Sequence, residues 1–144
     1  MEKLLAIESA QILTGLVKAA PQIELETNHF FSGGLYAREL VIPAGTVLVG
    51  KVHLKDGIFT VSKGKISVYA NGSVSILEAP FTGTSFKGTA RIGYAHTDTV
   101  FTTYHCTGAL SIGSAEDDLV VEDYDSYLAR IEAEMNNKLE GAGS

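Results

Sequence analysis

Cysteine, basic charge and long apolar runs are what this 144-residue sequence has least of. Cys106 is its one cysteine, which excludes an intrachain disulfide and a cysteine-built zinc site. Beside Thr107 in a strand-like run, that thiol reads as a small buried hydrophobe rather than a reactive group. No stretch reaches the roughly 18 apolar residues of a membrane-spanning helix. The apolar N-terminal segment carries Glu2 and Glu8 where a secretory leader needs a positive start and an unbroken apolar core. The expectation is a chain that stays in the cytoplasm of the cell that makes it, with no membrane partner. Lys and Arg number 11 against 17 Asp and Glu, a net charge of −6. The acidity is concentrated: Ser114 to Ser144 holds nine acids and two bases, the first 113 residues eight acids and nine bases. Neither part supplies the basic stripe that a nucleic-acid partner requires. Several reactive motifs are missing too: a Gly-x-Ser-x-Gly elbow, a phosphate loop and a His-Glu-x-x-His pair. Ser62 next to Lys63 reads as a turn, and Glu39 and Glu78 stand without a carboxylate partner.

What is present is β-forming sequence. Hydrophobic residues make up 45 % and charged residues 19 %, and 15 glycines punctuate the chain. The length suits one domain with its own core. Over residues 1–21 the apolar positions Leu5, Ile12, Leu13, Leu16, Val17 and Ala20 predict a helical arm near 9–19. Ser9 would cap it, Pro21 would end it and Gly15 would weaken it. From Gln22 the period changes to two. QIELE, LYARELVI, TVLVGKVH, GIFTVS, KISVYA, SVSILE, ARIGYAH and VFTTYHCT alternate and are rich in β-formers. Gly33-Gly34, Pro43-Ala44-Gly45, Asp56-Gly57, Lys63-Gly64 and Asn71-Gly72 separate them, the last being a strong type I′ hairpin signal. The expectation is an all-β sandwich or barrel over 22–113. Over 114–144 comes an acidic helical segment, striped by Tyr124, Leu128, Ile131, Met135 and Leu139, with a flexible Gly-Ala-Gly-Ser end.

The stretch Ile42 to Ser67, IPAGTVLVGKVHLKDGIFTVSKGKIS, resembles the first motif of the cupins, small double-stranded β-helix (jelly-roll) barrels. That motif runs Gly, five residues, His-x-His, three or four residues, Glu, six residues, Gly. Gly45 and Gly64 fall at the glycine places, Lys51 and His53 at the histidine places, and Gly57 at the glutamate place. The second motif, Pro-x-Gly-x-x-His, falls on Phe86, Lys87, Gly88, Thr89, Ala90 and Arg91. The match spans roughly Leu35 to Thr107. More narrowly, HFFSGGLYAREL, IPAGTVLVGKVH, SKGKISV and EAPFTGTSFKGTARIGYAHTDTVFTTYH resemble uncharacterised cupin-like proteins of tailed bacteriophages. In those proteins an acid and a second histidine come after the lysine-x-histidine. Asp56 keeps the acid, whereas Gly57 replaces the histidine.

The resemblance implies a metal held inside the barrel by imidazoles and a carboxylate. Lys51 repels a cation, Gly57 offers no donor and Arg91 never loses its charge, so three of the four ligand places fail. No metal or other cofactor is expected. A rebuilt site from His53, His96 and His105, with Asp98, is the alternative, and would suit zinc, iron or nickel. His96 before Thr97-Asp98-Thr99 reads instead as a strand-end residue, and His29 beside Phe30 and Phe31 as packing. Alternation through TVLVGKVH predicts Val47, Val49, Lys51 and His53 on the inward face, with Arg91 and Tyr94 completing an interior ligand-binding set. An interior Lys51 and Arg91 need a counter-charge. Glu39 or Asp98 is expected to supply it as a salt-bridge plug, a small anionic ligand being the alternative.

The functional expectation is a non-catalytic, self-associating structural or interaction protein. It would be phage-encoded, acting in the virion or on a host protein, with edge strands as dimer contacts. A metal-dependent small-molecule enzyme or sensor built on His53 and His105 is the competing expectation. A third, an acidic decoy for a nucleic-acid-binding protein, rests on the tail charge alone.

Overall fold

The computed structural model of the protein describes residues 24–142, so the arm expected over 1–21 lies outside the described residues. Glycine turns and period-two alternation shape the strands of the barrel. β1 (Glu26–Ser32) and β2 (Leu35–Ile42) meet at Gly33-Gly34, with Ser32 opposite Leu35. After β3 (Val47–Val49) and β4 (Val52–His53), Gly64 joins β5 (Gly57–Lys63) to β6 (Lys65–Ala70). Asn71 and Gly72, at φ of 53° and 79°, join β6 to β7 (Ser73–Glu78), with Ala70 opposite Ser73. Those two positive values are what a two-residue I′ hairpin demands, and only Gly, Asn or Asp supplies them cheaply. β8 (Phe81–Ser85), β9 (Ile92–Ala95) and β10 (Thr99–Cys106) complete the barrel. A first helix, α1 (Ile112–Leu119), a short β11 (Val120–Val121) and a long helix, α2 (Tyr124–Ala142), close the described chain.

Two antiparallel sheets face each other, one in the order β1-β2-β10-β5-β8 and one in the order β3-β9-β6-β7. A two-stranded ribbon, β11-β4, lies beside them. The neighbours are not sequential, since β10 lies between β2 and β5, and β9 between β3 and β6. This is the interleaving of a jelly roll. Leu40, Ile42, Phe59, Val61, Ile66, Val68, Leu77, Ala95 and Phe101 meet between the sheets as one core. They recur at every second residue along β2, β5 and β6, so the alternation legible in the sequence is the barrel's inside surface. Tyr36, Ala115 and Leu119 form a second cluster where α1 packs on β2.

The all-β jelly roll with a C-terminal helix is therefore the fold. Some details differ from the expectation. β1 begins at Glu26, the last residue of the expected QIELE strand, and β8 forms where no strand was expected, because threonines, a serine and a glycine dilute its alternation. The acidic helical segment expected over 114–144 is divided by β11, and its first helix, α1, begins at Ile112. That helix is capped by Ser111, whose side chain accepts from the Ser114 N–H, and buries only Ala115 and Leu119, too few positions for a visible stripe. Cys106 is exposed rather than buried. It ends β10 next to the inward His105, so strand alternation turns it outward.

The inward face of TVLVGKVH also needs correction. Thr46 is buried and Leu48 packs on the core, whereas Val47 is exposed. Gly50 and Lys51 then interrupt the strand, with the Gly50 N–H held by the Arg91 carbonyl at 2.8 Å. The break shifts parity: Val52 is buried toward the β11 side, His53 reaches the interior, and Lys51 points to solvent.

Candidate ligand site inside the barrel

β10 runs down the centre of the larger sheet, and its pairing of Tyr104 with Ile58 brings His105 beside Gly57. A Cβ at Gly57 would stand 2.6 Å from His105 Cδ2, 2.6 Å from His105 Nε2 and 2.6 Å from the Tyr104 carbonyl oxygen. The missing side chain at residue 57 is thus the space the His105 ring occupies. From β4, His53 meets it: His53 Nδ1 lies 3.2 Å from His105 Nε2, the ring centroids 5.0 Å apart at 49°. In such a pair one ring nitrogen donates its proton and the other accepts.

Arg91 enters just ahead of β9. Its guanidinium lies over Phe59, 4.7 Å from the ring centroid, and 5.8 Å from that of Phe101. Those two rings stack at 5.1 Å and 11°. An Arg91 N–H also donates to the Ser85 hydroxyl, whose side chain is fully buried. Cation–π contact and this hydrogen bond hold the charge in place without a counter-ion. Among the described residues no carboxylate reaches ion-pair distance of Arg91. The salt-bridge plug is therefore not formed. Glu39 accepts from the Asn28 amide at 3.0 Å, and Asp98 accepts from the Ala44 backbone N–H at 2.9 Å. Lys51 pairs with Glu122 at 3.0 Å outside the barrel, its side chain 45 % exposed.

Of the residues expected together, His53, His105 and Arg91 assemble in the interior. Lys51 and Tyr94 do not, the latter being 43 % exposed and edge-on to His96. His96 itself is exposed, 2.5 Å from the Ser67 hydroxyl, and joins neither other imidazole. His29 sits 2.5 Å from the Tyr36 hydroxyl, in the packing role expected of it. Reading from sequence missed Ser85, Phe59 and Phe101. Their only signal is parity with core residues on β8, β5 and β10.

Every neighbouring charge acting on the imidazole pair is positive. Burial, then His105, Arg91 and Arg38, push the His53 pKa down to about 4. Burial, then Arg91 and Lys55, lower that of His105. Burial also lowers the Arg91 value from its ordinary range. At neutral pH the interior holds two neutral rings beside a guanidinium. A metal does not fit this donor set. Two imidazoles lack a carboxylate partner, cations surround them, and among the described residues no three His, Cys, Asp or Glu gather as a ligand group.

A cavity of about 400 Å³ opens between β5–β8 and β6–β7. Phe59, Leu77 and Phe81 give it an apolar wall, Ser75 and Thr84 add hydroxyls, and Arg91 supplies the one charge on its lining.

An interleaved antiparallel jelly roll of this order is the cupin fold, and solved structures agree. KdgF from Halomonas sp. superposes with a TM-score of 0.53 at 16 % identity, covering 62 % of this chain and 87 % of its own. The cupin domain of Schizosaccharomyces pombe Cnp3 gives 0.50 at 17 %, over 70 % and 71 %. A putative ethanolamine utilization protein from Salmonella typhimurium gives 0.53 at 14 %, over 64 % of this chain and 76 % of that one. At such identities the likeness is one of fold. No protein-family profile matches the chain, and no curated protein does.

Proposed function

We propose that this chain is a non-catalytic cupin-fold protein that acts by binding and associates with copies of itself. The observation that carries the reading is the chemistry of the barrel interior. Where a metal-dependent cupin needs imidazoles plus a carboxylate, this chain offers two neutral imidazoles and the charge of an arginine. Self-association is supported by β7, an edge strand whose outward Val74 and Ile76 are 65 % and 63 % exposed, with no charge before Glu78. An uncovered apolar edge of this kind pairs readily with a second strand. The exposed Leu128, Met135 and Leu139 on α2 add a second apolar face. The resemblance to proteins of tailed bacteriophages supports a setting in a virion or in the cytoplasm of an infected host, with a phage or host protein as further partner.

The second reading, a metal-dependent enzyme or sensor, rests on the 3.2 Å contact between His53 and His105. Native mass by light scattering, with metal content determined in the same sample, separates the two. The binding reading predicts a metal-free oligomer that Val74→Lys with Ile76→Lys dissociates. A monomer would remove self-association, and a stoichiometric transition metal would favour the second reading.

A further inference from the structure

We propose that the cavity between β5–β8 and β6–β7 binds a small organic carboxylate, its anionic group on Arg91 and its apolar body against Phe59 and Phe81. Such binding goes beyond self-association and does not depend on it, since neither metal nor oligomer takes part.

The geometry of the cavity builds the case. At Gly83 a Cβ would stand 2.7 Å from the tip of the Phe59 ring and 3.1 Å from Phe81. The glycine lets Phe59 lie flat along β8, and Phe59 in turn carries the guanidinium. Arg91 therefore lines the cavity with its position fixed by a ring beneath it and by Ser85. A guanidinium so held is pre-organised for a planar anion, and its fork matches a carboxylate. No protein carboxylate among the described residues pairs with it, and the two expected partners, Glu39 and Asp98, are engaged elsewhere. A half-buried cation without a counter-ion costs stability, and a bound anion removes that cost.

Size and lining choose the rest of the ligand. About 400 Å³ lies within the range of small-molecule sites, typically about 300–1,000 Å³. Phe59, Leu77 and Phe81 along the wall favour an aromatic or branched aliphatic body over a bare inorganic ion. Ser75 and Thr84 on the lining can hydrogen-bond the ligand.

The test uses purified full-length protein with benzoate and 4-methylpentanoate as probes, methyl benzoate as the neutral counterpart and inorganic phosphate as the bare anion. Binding is read by titration calorimetry and by shifts in backbone amide resonances. Saturable binding of the two carboxylates is expected, with shifts around Gly83 and Arg91 and binding at least tenfold weaker for methyl benzoate and phosphate. Arg91→Gln should weaken benzoate binding at least tenfold. Ser75→Trp, a change on the exposed edge strand that leaves Arg91 in place, should block the cavity and do the same. Lys87→Gln, outside the cavity, should leave binding unchanged. Equal binding of the ester, phosphate binding as tightly as benzoate, unaltered affinity in a folded Ser75→Trp variant, or no saturable shift with either carboxylate would each overturn the assignment.

Discussion

Gly57 is the residue on which the interior turns. At the place where the resembling proteins carry a ligand, a missing Cβ admits the His105 ring against the Tyr104 backbone. Gly57→Ala is expected to cost about 1–3 kcal/mol, the range for overfilling a packed site, because neither a backbone carbonyl nor a 4 % exposed ring can retreat cheaply. Urea denaturation measures it, and a neutral result would mean that the strand slides to make room. The imidazole pair also fixes the sign of the pH dependence. The folded His53 value of about 4 lies below the ordinary 6.5, so the unfolded chain protonates first as pH falls. Its contribution to stability is complete above about pH 6.5 and is lost down to about pH 4, at most about 3 kcal/mol. The lowered His105 value acts in the same direction. His53→Gln should flatten the fall in urea midpoint between pH 7 and pH 4; an unchanged slope would place the acid sensitivity elsewhere.

Among elements, the acidic tail is a strap on the site. β11 pairs with β4, setting Val120 opposite His53, and the Leu54 N–H bonds the Leu119 carbonyl at 2.7 Å. Asp118 accepts from the Lys55 ammonium and from the buried Thr107 hydroxyl, both at 2.7 Å. These two hydrogen bonds hold its carboxyl below its ordinary pKa. Asp118→Ala leaves that hydroxyl without its acceptor and should cost about 1–2 kcal/mol. Lys55→Ala removes only an exposed charge and should cost under about 1 kcal/mol. Equal losses in thermal denaturation would show that the ion pair, not the buried hydrogen bond, fastens the strap. The pairing of β11 with β4 was not legible in the sequence, where 114–144 reads as one acidic helical segment. The hairpin at Asn71-Gly72, the alternation of β2, β5 and β6 and the apolar stripe of α2 were legible because turn chemistry and side-chain period are local. The site was half legible. Motif spacing led to His53 and Arg91, but the parity shift at Gly50-Lys51 comes from pairing with the Arg91 backbone, which is a tertiary contact. Lys51 was misplaced for that reason.

At the scale of the molecule, charge is divided. The tail carries the acids, and two of them, Asp118 and Glu122, meet lysines outside the barrel. The interior keeps a cation and two imidazoles whose pKa values burial and the neighbouring cations lower. Such an interior repels divalent ions and attracts anions, the reverse of a metal-dependent cupin's polarity. Calorimetric titration of chelator-stripped protein at neutral pH with iron(II), nickel(II) and zinc(II), each paired with thermal denaturation, addresses this most directly. Two imidazoles among cations predict no stoichiometric tight binding and an unmoved melting temperature. One equivalent of metal bound with a clear rise in melting temperature, abolished by His53→Ala, would contradict the account.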